Sequence, residues 1–351
     1  MQKNYEKLMR KCITLAKKGR GKTSPNPMVG CVVLDKNGNL ISVGYHHKYG
    51  KNHAERDALL KLKNGEEKDG VLIVNLEPCS HYGKTPPCAD LIIERGIKKV
   101  VIGCVDNNPK VNGGGIKKLK SAGVNVITGV LERECRELNE IFFTNVEQNR
   151  TFVALKTATT TDGKISTYSA DSKWITSEKS RNYGRKLRTY YDAILTSSNT
   201  VLADNPTMKH KIKIILDRHF RTDFSYNIYK DGRVLLVTEK TPQNIPSNVK
   251  IINCPVKNDK VDLRQLLNEL YKLGINSVFV ECGGRLNGSF IEGDFVDKIY
   301  HFIAPKILND NNGISCFSGE KKEKITECKQ YAIQSVKKLG CDVLITYSNS
   351  K

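Results

Sequence analysis

The chain has 351 residues, of which 57 are Lys or Arg and 37 are Asp or Glu, so its formal net charge is +20. This length exceeds one typical domain core and predicts two domains of ordinary size. Apolar residues make up 39% and charged residues 27%, which excludes a largely disordered chain and is typical of a globular protein. No apolar run approaches the ~20 residues of a membrane-spanning helix. The start, MQKNYEKLMRKC, has no apolar signal-peptide core, so we expect a cytoplasmic protein without a membrane partner.

The first half of the chain alternates between helical and strand patterns. The turn Lys36-Asn37-Gly38-Asn39 predicts a hairpin between the first two strands. In chain order, the expected elements are a helix at 4–19, strands at 28–35 and 39–46, a helix at 53–62, a strand at 71–76, a helix at 88–96, a strand at 98–105, a helix at 115–122 and a strand at 124–130. This alternation predicts α/β layers with mostly parallel pairing after the first hairpin.

The polar segment VEQNRT at 146–151 is predicted to be a linker to a second α/β run. The expected elements of that run are strands at 152–159, 192–196, 212–216, 233–238, 249–252 and 276–281, helices at 178–190 and 262–273, and late strands within 299–308 and 331–347. We therefore expect one domain at 1–147 and a second at 148–351.

The basic charge has two interpretations, a nucleic-acid partner or a Lys-rich surface with no partner. The nearest basic clusters, KGRGK at 18–22 and KKEK at 321–324, are both short. The 11 Cys are odd in number and irregularly spaced, which argues against a disulfide framework. Most of them lie in apolar strings, where a buried thiol is expected. Cys79 and Cys88 differ because they flank a Pro- and Gly-rich turn.

Three residues of the first half form a candidate metal site: His53, Cys79 and Cys88. Catalytic zinc takes three imidazole, thiolate or carboxylate ligands and keeps a fourth position for water. HAE at 53–55 places Glu55 close to the same metal at a helix start. An HxE followed by PC and a second Cys is the pattern of the zinc deaminases, in which zinc makes hydroxide available and a Glu moves protons. We therefore predict three zinc ligands with Glu55 as the catalytic proton shuttle.

The spacing of the two Cys carries further information. Deaminases of nucleosides or tRNA typically show PCxxC, whereas eight residues separate Cys79 from Cys88. The segments SPNPMVG at 24–30, EPCSHYGKTPPC at 77–88 and DNNPKVNGGG at 106–115 closely resemble the deaminase half of the bifunctional riboflavin-biosynthesis family of bacteria. Asn107 departs from the family pattern Asp-Pro-Asn-Pro. The resemblance implies a cytidine-deaminase-like zinc domain with substrate contacts at Asn26, His46, Lys84 and Asn108.

The second half has no GxGxxG fingerprint of a dinucleotide-binding turn. Its motifs resemble, in order and spacing, the reductase half of the same family: KTATTTDGKIS at 156–166, DSKWITSE at 171–178, TVLADNP at 200–206, VECGGRLNGSF at 280–290 and APKIL at 304–308. The resemblance implies a dihydrofolate-reductase-like domain that binds NADPH. A strand that ends in Glu281-Cys282-Gly283-Gly284 also leaves backbone N–H groups at an expected helix start, where pyrophosphate can sit.

The resemblance also implies site residues in this half. The cofactor contacts are Ala158, Trp174, Thr200, Asp204, Gly283, Gly284, Arg285, Leu286, Asn287 and Gly288, and the substrate contacts are Ser172, Arg188, Lys211 and Glu281. Lys156 and Asp204 are candidates for the acid or base of hydride transfer. The sequence departs from the family pattern at two places in this half. Ser197-Ser198-Asn199 replaces a Gly-rich stretch near the cofactor. Lys211 replaces an Arg, and Lys keeps the charge but cannot bind a phosphate in a bidentate way.

Together with the zinc motif, the resemblance thus implies a bifunctional enzyme with Zn²⁺ and NADPH. It would deaminate 2,5-diamino-6-ribosylamino-4(3H)-pyrimidinone 5′-phosphate and then reduce the ribosyl group of 5-amino-6-(5-phosphoribosylamino)uracil. Its partners would be these phosphorylated pyrimidines and further copies of itself, with no nucleic acid. One alternative is a tRNA or nucleic-acid deaminase that uses the basic surface. The other is a non-catalytic protein with a structural zinc, which His81 could close as a fourth ligand.

Overall fold

The computed structural model describes residues 2–82, 86–108, 113–253, 256–257 and 259–349 of the chain. It divides the chain into two compact units, Met1–Asn149 (unit 1) and Arg150–Lys351 (unit 2). The division falls after residue 149, where the sequence predicts it after residue 147. Within the described ranges, no helix combines the length and the apolar character that crossing a bilayer requires.

Unit 1 alternates helices with strands, and the helices and strands predicted for it are confirmed. Its elements in chain order are α1 (Gln2–Ala16), β1 (Gly30–Leu34), β2 (Leu40–Tyr45), α2 (Ala54–Leu59), β3 (Val71–Leu76), α3 (Cys88–Glu94), β4 (Lys99–Cys104), α4 (Gly114–Ser121), β5 (Asn125–Ile127), α5 (Glu132–Leu138) and α6 (Glu140–Gln148). The helices α5 and α6 are not predicted from the sequence.

The strands of unit 1 form one mixed sheet in the order β2-β1-β3-β4-β5. Strand β1 runs antiparallel to both neighbours, so parallel pairing begins only between β3 and β4. Alternate residues of a strand face opposite sides of its sheet. In β1, Cys31 and Val33 accordingly pack with α2, α3 and α4, while Val32 and Leu34 pack with α1 and α5. The sheet therefore lies between two helical layers.

The predicted linker at 146–151 is wrong in its first part. Helix α6 continues to Gln148 and ends where Asn149 takes a left-handed conformation with φ of 51°. Glu and Gln favour helices as strongly as most apolar residues do, so the polar string marks a solvent-facing helix end.

Unit 2 contains a second α/β run, as predicted. Its elements in chain order are β6 (Phe152–Thr159), β7 (Lys164–Ser166), α7 (Glu178–Arg188), β8 (Ala193–Ser197), α8 (Ser198–Asp204), β9 (Ile212–Leu216), β10 (Arg233–Val237), β11 (Val249–Ile252), β12 (Val256–Lys257), β13 (Lys260–Val261), α9 (Leu263–Lys272), β14 (Ser277–Val280), α10 (Gly284–Glu292), β15 (Lys298–Ile303), β16 (Ile314–Ser315), β17 (Tyr331–Leu339) and β18 (Asp342–Asn349).

The main sheet of unit 2 has the strand order β11-β10-β9-β8-β14-β6-β15-β18-β17. Pairing is parallel from β11 to β15, and β18 pairs antiparallel with both β15 and β17. Strand β8 leads directly into α8, and the adjacent strand β14 is followed, after residues 281–283, by α10. The carboxyl ends of parallel strands meet at one edge of a sheet, which is where ligands of open α/β sheets bind.

Candidate active sites

The three predicted metal ligands of unit 1 meet where α2 and α3 begin. His53 is the N-cap of α2, Cys79 lies in the loop after β3, and Cys88 is the first residue of α3. Their donor atoms all lie within 4.8 Å of one another. Nδ1 of His53 is 3.6 Å from Sγ of Cys79 and 3.6 Å from Sγ of Cys88. Among the described residues, the exposed His81 is not part of this group.

The donor set and its spacing fit zinc. With Zn–S bonds of about 2.3 Å and Zn–N bonds of about 2.0 Å, a sulfur and a nitrogen of a tetrahedral site lie about 3.5 Å apart. The backbone N–H of Cys88 donates to Sγ of Cys79 at 3.4 Å. Hydrogen bonds from the Cys88 thiol and from His53 lower the pKa of Cys79 below its ordinary value. The thiolate is the form of cysteine that binds a metal, so Cys79 is already prepared for it.

Glu55 lies in the first turn of α2 beside these ligands and is 3% exposed. In the described part of the chain, its Oε2 has no hydrogen-bond partner. Burial raises the pKa of Glu55 to about 7, against the opposing effect of His53. A carboxyl group with a pKa near neutrality can both accept and donate a proton, which suits it to general acid–base catalysis.

The structure places Asn26 and His46 next to the metal ligands. Nδ2 of Asn26 lies 3.3 Å from Nε2 of His46, and Nδ1 of His46 donates to the carbonyl of Asn52 at 2.9 Å. The ring centroids of His46 and His53 are 5.3 Å apart. Burial lowers the pKa of His46, which favours its neutral form. Lys84, predicted as a further substrate contact, lies outside the described residues.

Asn108 lies in the loop after β4. Two buried carboxylates, Glu77 and Asp106, accept hydrogen bonds from the backbone of this loop. The backbone N–H of Asn108 donates to Oδ1 of Asp106 at 2.8 Å. The carboxylate of Glu77 accepts hydrogen bonds from the backbone N–H groups of Asp106, Gly113, Gly115 and Ile116. Neither carboxylate is predicted as functional from the sequence. For Glu77 a signal was present, since an acidic residue at the end of an apolar strand directly precedes Pro78 and Cys79.

Unit 2 holds a cluster of three charged groups at the carboxyl end of β14. Glu281 accepts hydrogen bonds from Nε and Nη2 of Arg188, both at 2.7 Å. Burial raises the pKa of Glu281, but Lys156 and Arg188 lower it by more, so the pKa lies below its ordinary value. Burial also lowers the pKa of Lys156. The structure thus brings Arg188 and Glu281 together with Lys156 of β6.

The predicted cofactor turn at 283–288 begins α10, and its glycines have two different environments. Around Gly283, the N-cap, no described residue other than its two chain neighbours has an atom within 4 Å of an added Cβ. An added Cβ on Gly284 or Gly288 would lie under 3.0 Å from the carbonyl of Ser315 or Ser318, respectively. Gly283 therefore presents open backbone, whereas the other two glycines allow the chain at 315–318 to pack.

The remaining residues of this turn also divide between packing and solvent. Asn287 is fully buried, where it accepts a hydrogen bond from the Cys282 thiol at 2.9 Å and donates to the carbonyl of Cys316 at 2.8 Å. Arg285 is exposed and Leu286 is half-buried.

Ala158 and Thr200 lie at the same edge of the sheet as Glu281. Ala158 is close to the carboxyl end of β6, and Thr200 is in α8, directly after β8. Strands β8 and β6 are the two neighbours of β14, so the three carboxyl ends are adjacent. The stretch Ser197-Ser198-Asn199 stands before Thr200 where the family has a Gly-rich sequence. Its Ser198 and Asn199 side chains both accept hydrogen bonds from Nη2 of Arg221, at 2.7 and 2.5 Å.

Trp174 lies in an exposed loop and is 59% exposed. The guanidinium of Arg181 lies 4.3 Å from its ring centroid, and Nζ of Lys306 donates to its carbonyl at 2.7 Å. Ser172 is half-buried in the same loop. Asp204 is exposed, with its Oδ1 4.0 Å from Nζ of Lys173.

Lys211 is the predicted substrate contact that the structure does not bring to this cluster. The strand register aligns Val280 with Leu195 and Leu195 with Ile214. Lys211 precedes β9, whereas Glu281 follows β14, so the two lie roughly four residues, or about 13 Å, apart along the strand direction.

Both units are similar to known proteins. Residues 2–104 match the family model of the cytidine and deoxycytidylate deaminase zinc-binding region, and residues 151–345 match that of the RibD C-terminal domain. The riboflavin biosynthesis protein RibD of Actinobacillus pleuropneumoniae is 41% identical over 97% of this chain and 94% of that protein. The same protein of Aquifex aeolicus (strain VF5) is 39% identical over 99% of this chain and 98% of that protein.

Solved structures extend the comparison to the fold. The structure of a diaminohydroxyphosphoribosylaminopyrimidine deaminase/5-amino-6-(5-phosphoribosylamino)uracil reductase from Thermotoga maritima is 37% identical, with a TM-score of 0.88 and coverage of 99% of both chains. Acinetobacter baumannii RibD is 30% identical, with a TM-score of 0.90 and full coverage of both chains. These matches confirm the cytidine-deaminase-like and dihydrofolate-reductase-like fold classes predicted for the two units. The chain belongs to the RibD family of riboflavin biosynthesis proteins.

Proposed function

We propose that unit 1 is the zinc-dependent pyrimidine deaminase and unit 2 the NADPH-dependent pyrimidine reductase of a bifunctional riboflavin-biosynthesis enzyme. The first substrate is 2,5-diamino-6-ribosylamino-4(3H)-pyrimidinone 5′-phosphate, and the second is 5-amino-6-(5-phosphoribosylamino)uracil. The proposal is carried by the cluster of one imidazole and two thiols with the buried carboxyl of Glu55 beside it. The two family-model matches, at 2–104 and 151–345, each lie within one unit.

His53, Cys79 and Cys88 would hold the zinc ion of the deaminase. Bound zinc lowers the pKa of water, so that hydroxide is available near neutral pH. Glu55 would take one proton from the attacking water and pass it to the ring nitrogen of the pyrimidine. It would then take the second proton from the new hydroxyl group on the ring carbon and pass it to the amino group, so that the C–N bond breaks, ammonia leaves and a carbonyl group forms. Asn26, neutral His46, Lys84 and Asn108 are proposed to hold the pyrimidine and its phosphate.

In unit 2, NADPH supplies the hydride that reduces C1 of the opened ribosyl group. Open backbone at Gly283, next to the carboxyl ends of β6 and β8, offers a place for the cofactor pyrophosphate. Arg188 and Glu281 are proposed to hold the substrate, with Lys156 beside them as the proton donor. Of the remaining predicted contacts, we propose that Ala158, Trp174, Thr200, Asp204, Arg285 and Leu286 contact the cofactor, while Gly284, Asn287 and Gly288 serve the cofactor site by packing the turn against the chain at 315–318. Ser172 and Lys211 stay proposed substrate contacts, with Lys211 at a distance from Glu281.

The enzyme is further proposed to act in the cytoplasm, as a homo-oligomer, on small phosphorylated molecules and not on nucleic acid. The described cysteines are all free thiols, which is typical of a reducing compartment. Light scattering coupled to size-exclusion chromatography measures the oligomeric state.

The substitution Glu55→Gln tests the assignment of the two reactions. Gln keeps the size of the side chain but cannot carry the proton, so ammonia release should fall by at least roughly 100-fold. NADPH oxidation with the deaminated substrate should persist, because it belongs to the other unit. Ammonia and NADPH are followed separately, each with its own substrate. Glu94→Gln, at the exposed end of α3, is the control and should keep both activities. Joint loss of both activities in Glu55→Gln would contradict the assignment.

A further inference from the structure

Glu77 lies where the ends of β3 and β4 meet the start of α4, a place that we call the Glu77 junction. Neither zinc binding nor the proposed proton transfers use this residue. It directly follows β3, is 4% exposed, and precedes the predicted zinc ligand Cys79 by two residues. Its own backbone N–H donates to the carbonyl of Cys104 at 3.0 Å, which joins the ends of β3 and β4. A buried carboxylate at such a position must be compensated by hydrogen bonds.

The carboxylate of Glu77 receives four backbone hydrogen bonds from two separate segments. Oε1 accepts from Gly115 at 2.9 Å and from Ile116 at 3.1 Å, both in the first turn of α4. Oε2 accepts from Asp106 at 3.2 Å, in the loop after β4, and from Gly113 at 3.2 Å, just before α4. A carboxylate has about four acceptor sites, so its capacity is used in full. Hydrogen bonds to a charged acceptor are about twice as strong as neutral ones.

The same junction leaves little room for independent movement. A Cβ added to Gly115 would lie under 3.0 Å from the carbonyl of Pro78, so the peptide that leads to Cys79 packs directly against α4. On the other side, Asp106 holds the backbone N–H of Asn108 at 2.8 Å. The segment 106–108 is therefore tied to the segment 77–79 through one carboxylate.

We propose that Glu77 is a positioning residue of the deaminase, which sets the substrate loop 106–108 against the metal ligand Cys79. The inference rests on the proposed function, because it assigns the pyrimidine to a site between Asn108 and the metal. The four backbone groups that donate to the Glu77 carboxylate lie in the loop after β4 and at the start of α4, whereas the predicted zinc ligands His53 and Cys88 lie at the starts of α2 and α3. Weakening the hydrogen bonds to the Glu77 carboxylate should therefore weaken substrate binding, while the zinc ion is retained.

The test uses Glu77→Gln in the full-length protein. Gln has the same size but turns an NH₂ group toward backbone N–H donors that need an acceptor. We expect the KM for the deaminase substrate to rise about tenfold or more, with zinc content by metal analysis unchanged and NADPH oxidation by unit 2 intact.

The matched control is Glu67→Gln. Glu67 is a fully buried carboxylate of the same unit that pairs with Arg95, and it precedes β3, whereas Glu77 follows the other end of that strand. Its replacement should lower the melting temperature without raising the KM. Gly115→Ala is a second variant at the junction and should reproduce the rise in KM.

Two outcomes overturn the inference: an unchanged KM in Glu77→Gln, or a loss of zinc equal to the loss of activity. If Glu77→Gln does not fold, Gly115→Ala replaces it as the test, and an unchanged KM for the deaminase substrate in that variant overturns the inference. Absence of ammonia release from the wild-type protein would instead contradict the proposed function and leave the hydrogen bonds of Glu77 as a structural feature only.

Discussion

Two carboxyl groups of unit 1, Glu55 and Asp106, owe their acid–base behaviour to the fold. Burial raises the pKa of Glu55 to about 7 and that of Asp106 to about 6. The motif HAE identifies Glu55 as a candidate from the sequence, because a short motif carries residue type and spacing. Neither the depth of its burial nor the role of Asp106 follows from a motif, since both depend on segments far apart in the chain.

Asp106 provides a test of this shift through the pH dependence of stability. Its ordinary pKa is about 3.9, so between about pH 4 and pH 6 the folded protein keeps a proton that the unfolded chain has lost. This residue's contribution to stability therefore falls as the pH rises through that window and stays lowered above it. Asp106→Asn retains an oxygen that can accept the N–H of Asn108 but cannot ionise.

Relative to the wild type, the stability of Asp106→Asn should improve by about 2–3 kcal/mol between pH 4 and pH 7. Urea unfolding at pH 4, 5.5 and 7 measures the difference, since changes common to both proteins cancel. Parallel stability curves for the two proteins would show that Asp106 ionises normally in the folded state.

Short polar helices are the elements that sequence patterns identify least well. Strands β9 and β11 have the predicted bounds, because Ile, Val and Leu make up each of them apart from a single Lys. By contrast, α8 spans seven residues with little apolar periodicity, and α6 ends in the polar residues that predicted a linker. In such segments tertiary packing, and not local pattern, selects the helix.

The start of α10 permits a test of the cofactor site at the scale of an element. Gly283→Ala places a methyl group where no described residue other than its two chain neighbours lies within 4 Å, so stability should stay within about 0.5 kcal/mol. If this turn binds the pyrophosphate, however, the methyl group should raise the KM for NADPH about tenfold, since the ligand approaches the backbone closely. Steady-state NADPH oxidation measures the change.

Gly288→Ala is the matched variant in the same helix. Its methyl group would lie under 3.0 Å from the carbonyl of Ser318, so this variant should lose about 1–3 kcal/mol of stability in a denaturant titration. An unchanged KM for NADPH in Gly283→Ala would remove this turn from the cofactor site.

At the scale of the whole molecule, the two compact units predict two separable responses to metal removal. The candidate zinc ligands all belong to unit 1, and the Lys156–Glu281–Arg188 cluster belongs to unit 2. Treatment with dipicolinate should abolish ammonia release and leave NADPH oxidation on the deaminated substrate within about twofold, because catalytic zinc serves only the first reaction.

Added zinc should restore ammonia release, and calcium at the same concentration, a hard cation that prefers oxygen ligands, should not. Ammonia assays and NADPH absorbance follow the two reactions in one preparation. Parallel loss and recovery of both activities would contradict the independence of the two units.

The net charge of +20 is interpreted differently once the sites are located. The proposed ligands are two phosphorylated pyrimidines and one cofactor, which require only a few of the 57 cations. Several of the others form exposed pairs with acidic neighbours, such as Lys61 with Asp57 and Arg133 with Glu137. Such pairs support the proposal that much of the basic composition belongs to a solvated Lys-rich surface.

The amino-acid sequence alone is enough to predict most of the helices and strands, the residue types able to bind zinc and the family of both halves. These features are local, since periodicity and motif spacing are properties of short segments. Three features become visible only in the folded chain: the hydrogen bonds from two segments to Glu77, the packing of Gly288 against Ser318, and the separation of Lys211 from Glu281. Burial, hydrogen bonding and strand register depend on contacts between segments that are distant in the chain. No local sequence pattern shows which of these segments will contact each other.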